Sequence, residues 1–115
     1  MGLGVLRSKR QDLLAVNQTI SSTTQTNTVD LGSIEGSFSV QVVWTNGTAV
    51  NMALTVELSN DSTNFVPITA TSQTITSASG THMFDMQTGA EFLRVAITVT
   101  GGSADFSIYL NGKSR

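Results

Sequence analysis

The stretch from Val50 to Ile68 reads VNMALTVELSNDSTNFVPI. Apolar and polar residues alternate from Val50 to Ser59, and a period of two is typical of a strand with one buried face. Turn-forming residues follow as far as Asn64, and the apolar pattern resumes at Phe65, so the stretch predicts a β-hairpin. Because Pro67 cannot donate a ladder hydrogen bond, the second strand is predicted to be short or at a sheet edge.

A second alternating segment precedes this hairpin, from Ser37 to Trp44, and it predicts another strand. Asn46-Gly47 follows directly and is a strong signal for a tight turn. We therefore predict that residues 38–58 form one hairpin. Trp44 is expected to anchor the core and to donate its indole N–H to a carbonyl group, with stacking against a sugar as the alternative.

The most apolar segment runs from Phe92 to Thr100 and predicts a strand in the core. Thr100-Gly101-Gly102-Ser103 comes next and predicts a hairpin turn. The alternation from Ala104 to Leu110 then predicts the returning strand of this last hairpin.

Two weaker signals complete the pattern. A Thr-rich stretch predicts a strand around Ile75, and a short apolar patch predicts that Phe84 and Met86 are buried together. Strands thus recur about every ten residues, with turns between them. The predicted fold class is all-β, a single antiparallel β-sandwich or jelly-roll-like domain of about seven or eight strands.

The predicted organisation has three parts: an N-terminal arm at 1–16, a polar edge strand or linker at 17–28, and the β-sandwich domain at 29–115. The arm is either a frayed terminus or a segment that packs on a neighbouring subunit, because exposed leucines at a terminus need a partner. The candidate contact residues of the arm are Leu3, Val5, Leu6, Arg7, Lys9, Arg10, Leu13 and Leu14.

The composition is poor in charge. The 115 residues include six basic and eight acidic residues, for a formal net charge of −2. A weakly charged surface repels its neighbours weakly, which suits dense assembly. The three basic residues of the arm, offset by Asp12, are too few to predict a nucleic-acid partner. No apolar run is long enough to span a membrane.

The side chains from which catalytic sites are built are sparse. The chain has no cysteine and a single histidine. That histidine, His82, is predicted to lie in a loop or at the start of a strand, and to be solvated because one imidazole lacks the partners that a site requires. Asn60-Asp61-Ser62 lacks the spaced carboxylates of a calcium loop. The sequence therefore predicts no enzyme, no catalytic residue, no cofactor and no metal site.

Arg94 is the one charged residue of the most apolar segment. An unpaired guanidinium in such a place would be costly. We therefore predict a structural ion pair between Arg94 and either Glu57 or Asp61 on a neighbouring strand.

Several of these segments together resemble small all-β virion proteins of tailed bacteriophages, over residues 29–113. SFSVQVVWTNG at 37–47 resembles their first long strand, and LSNDSTNF at 58–65 resembles their SNDGxNW hairpin. FLRV at 92–95 resembles their YVRV strand. Gly101-Gly102 together with 106–113 resembles their last hairpin. The chain departs from these motifs at Ser62, Phe65 and Phe92, where the motifs have glycine, tryptophan and tyrosine.

The resemblance implies a structural protein of the virion. Its leading interpretation is a capsid decoration protein that binds the major capsid protein as a symmetric homo-oligomer such as a trimer, with residues 1–16 as its anchor to the capsid or to a neighbouring subunit. One alternative is a component of the tail or baseplate. Another is a carbohydrate-binding or host-adhesion module, which would need exposed aromatic residues such as Trp44 or Tyr109.

Overall fold

A computed structural model describes the backbone of residues 7–32 and 34–114 and the side chains of residues 10–32 and 34–113. Its frame is two long antiparallel strands, β5 (Ile34–Ser59, 26 residues) and β9 (Phe92–Ser114, 23 residues). They pair with each other from one end to the other, with bulges on the way. Every other strand attaches to an outer edge of this ribbon.

Four short strands line the free edge of β9, and three line the free edge of β5. In chain order, these are β1 (Arg7–Asp12), β2 (Gln18–Ile20), β3 (Thr24–Gln25) and β4 (Val29–Asp30) on β9, and β6 (Val66–Pro67), β7 (Gln73–Ile75) and β8 (Gly80–Met86) on β5. One 3₁₀ turn, Thr69–Thr71, lies between β6 and β7. The described residues thus form one antiparallel sheet of nine strands, and the predicted all-β class is confirmed.

The long ribbon is bent. At about 3.3 Å per residue, a straight β5 would extend about 85 Å, whereas the longest dimension of the protein is 54 Å. The register between β5 and β9 shifts repeatedly from Thr45 to Met52. Because bulges bend strands and increase their twist, this region is where the two long strands turn together.

One face of the bent sheet carries the core, and all its buried apolar side chains belong to one cluster. In the described residues no helical layer covers that face, so the two halves of the sheet cover each other, as in a sandwich. The largest side chains with less than 2% exposure are Leu13, Val40, Val42, Met52, Leu54, Val56, Ile75, Leu93, Ile97, Phe106, Ile108 and Leu110.

A bulge next to Gly101 decides which residues of β9 face the core: Asn51 pairs with Gly101 and Met52 with Val99, so Thr100 is the extra residue of β9. Before it, the odd-numbered positions Leu93, Val95 and Ile97 are fully buried. After it, the even-numbered positions are buried, from Ala104 to Leu110. An extra residue in one strand inverts the alternation beyond it, so both halves of β9 point apolar side chains into the same core.

Two predicted hairpins are wrong. Asn46-Gly47 and Gly101-Gly102 do not reverse the chain, and both lie in the bend, where β5 and β9 continue past them. Asn46 (φ 54°) and Gly102 (φ 77°) have left-handed backbone conformations. Such conformations occur in bulges as well as in turns. The local sequence therefore predicted the backbone conformation correctly but did not determine whether the chain reverses.

The hairpin predicted from Val50 to Ile68 is confirmed. β5 ends at Ser59, and β6 pairs back on it at Leu58 and Glu57. β6 has only two residues, as expected for a strand that contains Pro67.

Trp44 anchors the core as predicted. Its side chain is 7% exposed, and its indole nitrogen donates to the carbonyl of Ser77 at 3.2 Å. A sugar-stacking role for Trp44 is therefore excluded. Of the predicted pair in β8, Phe84 is buried and Met86 is half-buried.

The described part of the predicted arm belongs to the sheet. Residues Arg7–Asp12 pair as β1 with the last residues of β9. Leu13 is fully buried and Leu14 is 7% exposed, so these two are core residues of their own chain and not contacts to another subunit. They are buried because β1 carries the chain directly onto the core face. Leu3, Val5 and Leu6, with the side chains of Arg7 and Lys9, lie outside the described residues.

Candidate binding surface

A shallow groove of about 360 Å³, here called the outer groove, crosses the outward face of the sheet. It lies where β1, β9, β5 and β8 run side by side, and Gln41 of β5 is the cross-strand neighbour of both Tyr109 and Met83. The outer groove is lined by Arg10, Ser39, Gln41, Met83, Tyr109 and Asn111. The sheet thus presents amide, hydroxyl, aromatic and thioether groups on one surface.

The charge of the outer groove is balanced locally. The Arg10 guanidinium lies 4.7 Å from the centroid of the Tyr109 ring, and its Nε is 3.3 Å from Asp12 Oδ1. Gln41 Nε2 donates to Thr81 Oγ1 at 3.4 Å. Met83 is 49% exposed and adds apolar surface at the middle of β8. This surface suits an uncharged partner better than a strongly charged one.

Of these six residues, sequence reasoning identified Arg10 as a subunit or capsid contact and Tyr109 as a candidate sugar contact. The others occupy outward positions of alternating strands, and that alternation was visible in the sequence. Which strands adjoin was not visible, because β5 pairs with β8 and β9 from distant parts of the chain.

A second cluster lies on the outward face of the other half of the sheet. Arg94 Nε donates to Glu57 Oε1 at 2.6 Å, and the guanidinium carbon lies 3.9 Å from the centroid of the Phe65 ring. Arg94 and Glu57 face each other in the register of β9 and β5. Of the two carboxylates predicted for Arg94, Glu57 forms the ion pair. The cluster holds the end of the β5–β6 loop against β9, which is a structural role.

We expect Arg94→Ala to lower the free energy of unfolding by about 2 kcal/mol, between the values for exposed and buried pairs. The reason is partial burial, since the Arg94 and Glu57 side chains are only 27% and 16% exposed. Arg10→Ala is a matched control, because Arg10 also combines a carboxylate and a ring but is 63% exposed. It should cost less than about 1 kcal/mol. Equal losses in urea unfolding would contradict this ranking.

Asp61 organises the loop between β5 and β6. Its Oδ1 accepts the backbone N–H groups of Thr63 at 2.9 Å and Asn64 at 2.8 Å, together with the Ser59 hydroxyl at 2.9 Å. Its Oδ2 accepts Asn64 Nδ2 at 2.8 Å. These bonds, led by the Asn64 backbone N–H, lower the pKa of Asp61 well below its usual range. Asp61 therefore serves its own turn and not Arg94.

The stability of the protein should depend on the ionisation of Asp61. Because folding lowers the pKa of Asp61 from its ordinary 3.8, the ionised form stabilises the native state above that pH. The contribution is lost as the pH falls below about 4. We expect the urea midpoint of the wild type to fall more steeply between about pH 5 and pH 2 than that of Asp61→Asn. Parallel curves for the two proteins would contradict the assignment.

Ser62 occupies a left-handed backbone position, with φ of 60°. The SNDGxNW motif that this loop resembles has glycine at this position. We expect Ser62→Gly to raise the free energy of unfolding by about 1 kcal/mol, because glycine adopts this conformation without a Cβ clash. Ser79, also in an exposed loop but without a positive φ, is the matched control. Ser79→Gly should be neutral or slightly destabilising in the same urea titration.

Asp105 ties the bend together. Its carboxylate accepts the Thr19 hydroxyl at 2.6 Å and Asn46 Nδ2 at 3.0 Å, so it joins β2 and the bend of β5 to β9. These two hydrogen bonds lower the pKa of Asp105, and the bond from Thr19 has the larger effect. Asp105 therefore has a structural role, and its carboxylate stabilises the bend when it is ionised.

The side chains that could carry chemistry are engaged or dispersed in the described residues. His82 lies near the start of β8, one of its two predicted placements, but it is half-buried and not solvated, with its ring edge-on to Phe84 at 4.6 Å. Residues 7–32 and 34–114 contain no group of three His, Cys, Asp or Glu side chains that could hold a metal ion. Every buried side-chain nitrogen or oxygen of residues 10–32 and 34–113 has a hydrogen-bond partner. No helix in this part of the chain is long and apolar enough to cross a membrane.

No protein-family model and no curated protein matches this sequence. Solved structures share its fold. The SPBc2 prophage-derived protein YomS is similar over 97% of this chain and 99% of its own, with a TM-score of 0.62 and 8% identity. The VP2 subviral particle of infectious bursal disease virus has a TM-score of 0.58 and 14% identity over 96% of this chain, which spans about a third (33%) of VP2.

A third similar structure is the enzymatically active domain of bacteriophage CBA120 tailspike protein 4, with a TM-score of 0.52 and 12% identity. It matches 95% of this chain, which covers 18% of the tailspike chain. At such identities, the similarities show a shared all-β fold and leave function to be argued from the surface.

Proposed function

We propose that this chain is a structural protein of a phage virion, and specifically a capsid decoration protein that binds the major capsid protein as a symmetric homo-oligomer. The observation that carries the proposal is the fold shared along nearly the whole chain, 97%, with a prophage-derived protein. The resemblance of residues 58–65 and 92–95 to motifs of virion proteins also supports it.

The surface of the protein suits such a role. The outer groove combines hydrogen-bonding groups with the exposed Met83 on one face of the sheet, and the Asp12 carboxylate balances the charge of Arg10. Contacts of this kind are individually weak. Repeated by the symmetry of a shell, they produce tight overall attachment through avidity.

The candidate capsid contacts are therefore revised. Arg10 remains, as part of the outer groove, and so do the candidates whose side chains lie outside the described residues: Leu3, Val5, Leu6, Arg7 and Lys9. Leu13 and Leu14 are removed, because they are buried in the core of their own chain. Deletion of residues 1–6 is the appropriate truncation, since β1 begins at Arg7.

Quantitative mass spectrometry of purified particles tests the proposal by counting this protein against the major capsid protein. A ratio near one, or a simple fraction such as one-third, supports capsid decoration. A few copies per particle would move the protein to the tail or baseplate. Absence from particles would overturn the virion role. Loss of occupancy on deletion of residues 1–6, with an unchanged circular dichroism spectrum, would assign the anchor to that segment.

A second candidate function is carbohydrate binding, which the amides and ring of the outer groove favour. Gln41, Asn111 and Tyr109 offer the hydrogen-bonding and stacking groups from which sugar sites are built. Arg10 covers one face of the Tyr109 ring. A glycan array that captures the wild type but not Tyr109→Ala would favour this function, and an array without any bound glycan would count against it.

A further inference from the structure

The outer edges of the sheet differ in how they are protected from pairing with another chain. β2, β3, β4, β6 and β7 have only two or three residues each. β6 also contains Pro67, and β1 carries the basic residues Arg7, Lys9 and Arg10. Short length, proline and cationic side chains all discourage edge pairing.

β8 has none of these protections. It has seven residues, no proline, no lysine and no arginine. It pairs with β5 without a bulge, from Trp44 opposite Gly80 to Phe38 opposite Met86. Its other edge has no partner strand among the described residues. A straight, unblocked edge of this length is a template for one more strand.

We propose that β8 is the contact through which two copies of this chain associate, strand against strand and antiparallel, about a twofold axis at Met83. A strand that pairs with its own copy forms an isologous contact, which closes at two subunits. The contact therefore predicts a dimer in solution, or an assembly built of dimers.

Met83 is the first reason to place the axis there. It is 49% exposed and points to the outward face, at the centre of the seven residues. Side chains directly opposite in an antiparallel pair have Cβ atoms about 4.5–5.5 Å apart. The two Met83 side chains would therefore cover each other and remove apolar surface from water.

The remaining pairs of this register are complementary. Asp85 of one copy lies opposite Thr81 of the other, so a carboxylate meets a hydroxyl donor. His82 lies opposite Phe84 on the inward side, which extends the edge-on contact that these two rings make within one chain. A register centred on Asp85 would instead place two carboxylates opposite each other, which is unfavourable.

The pairing also has a consequence for the outer groove. Met83 lines that groove, so the dimer would join two outer grooves into one surface across a continuous sheet. Attachment to a capsid through both grooves at once rests on the proposed function. The dimer itself does not, and it is tested on purified protein, so its failure and the failure of the particle test are distinguishable.

Single-cysteine variants test the register, because the chain has no cysteine of its own. Met83→Cys places two thiols at the axis, where the Cα separation of about 4.5–5.5 Å is within the range of a disulfide. Thr81→Cys on the same strand would be about 13 Å from its twin, which is too far. We expect mild oxidation to give a covalent dimer with Met83→Cys and monomer with Thr81→Cys.

Val66→Cys is the second control, since Val66 is 61% exposed on the short edge strand β6. It should also remain monomeric. Equal crosslinking of the three variants, or none with Met83→Cys, would overturn the proposed contact.

Sedimentation of the full chain over a concentration series tests the association without a covalent bond. We expect a monomer–dimer equilibrium for the wild type. Met83→Lys places like charges at the axis and should raise the dissociation constant at least about tenfold, while Val66→Lys should leave it unchanged. A wild type that is monomeric throughout or trimeric, or that loses its dimer with Val66→Lys and keeps it with Met83→Lys, would overturn the proposal.

Discussion

Replacing Gly102 with alanine is expected to lower the free energy of unfolding by about 3 kcal/mol or more, enough to unfold much of a marginally stable domain. Gly102 has φ of +77°, and a Cβ there would lie 2.3 Å from the carbonyl oxygens of both Thr48 and Ala49. The left-handed conformation alone costs a residue with a Cβ about 1–2 kcal/mol. The clash adds to this, because backbone atoms at the centre of the bend have little room to move.

Two other glycines separate the cost of the left-handed conformation from the cost of the steric clash. Gly36 has φ of +71° with open space around the added Cβ, so Gly36→Ala should show only the conformational cost of about 1 kcal/mol. Gly89 has neither a positive φ nor a neighbour within 4 Å, so Gly89→Ala should be close to neutral. Urea unfolding of the three variants should give losses in the order Gly102, Gly36, Gly89. A Gly102 loss no larger than that of Gly36 would show that β5 and β9 do not approach closely in the bend.

Leu13→Ala is expected to destabilise the protein by about 2–5 kcal/mol, the range for deleting a buried leucine side chain. Leu13 is fully buried, its N–H donates to the carbonyl of Ile108 at 2.8 Å, and its carbonyl accepts the N–H of Asn27 at 3.2 Å. The side chain therefore lies in a site held on both sides by β9 and the segment before β4. Its removal leaves a cavity that the surrounding strands fill only in part.

Val16→Ala is the matched control, three residues further along the same segment. Val16 is 55% exposed, so its truncation should change the free energy of unfolding by less than about 0.5 kcal/mol. The comparison distinguishes a segment built into the core from a detached arm. If Leu13→Ala were as mild as Val16→Ala in thermal and urea unfolding, the N-terminal segment would not belong to the core.

The sequence by itself determined which side of each long strand faces the core. The alternation of Met52, Leu54 and Val56 with polar residues translates directly into burial, because side chains of a strand point to opposite faces whatever strand lies beside it. The loop after Ser59 was determined in the same local way, by Asp61 and its neighbouring amides. The ion pair of Arg94 was anticipated because a charge in an apolar strand needs a partner.

Only the tertiary structure decided which strands are neighbours. Asn46-Gly47 and Gly101-Gly102 are sequence motifs that occur in bulges as well as in hairpin turns. Pairing β5 with β9 along their whole length buries the apolar side chains on both sides of the bend in one core. The same pairing leaves an edge on β9 for residues 7–12, which places Leu13 in the core. The outer groove exists for the same reason, since its residues come from four strands that only long-range pairing brings together. Such pairing depends on the summed burial of distant segments, which a local pattern does not contain.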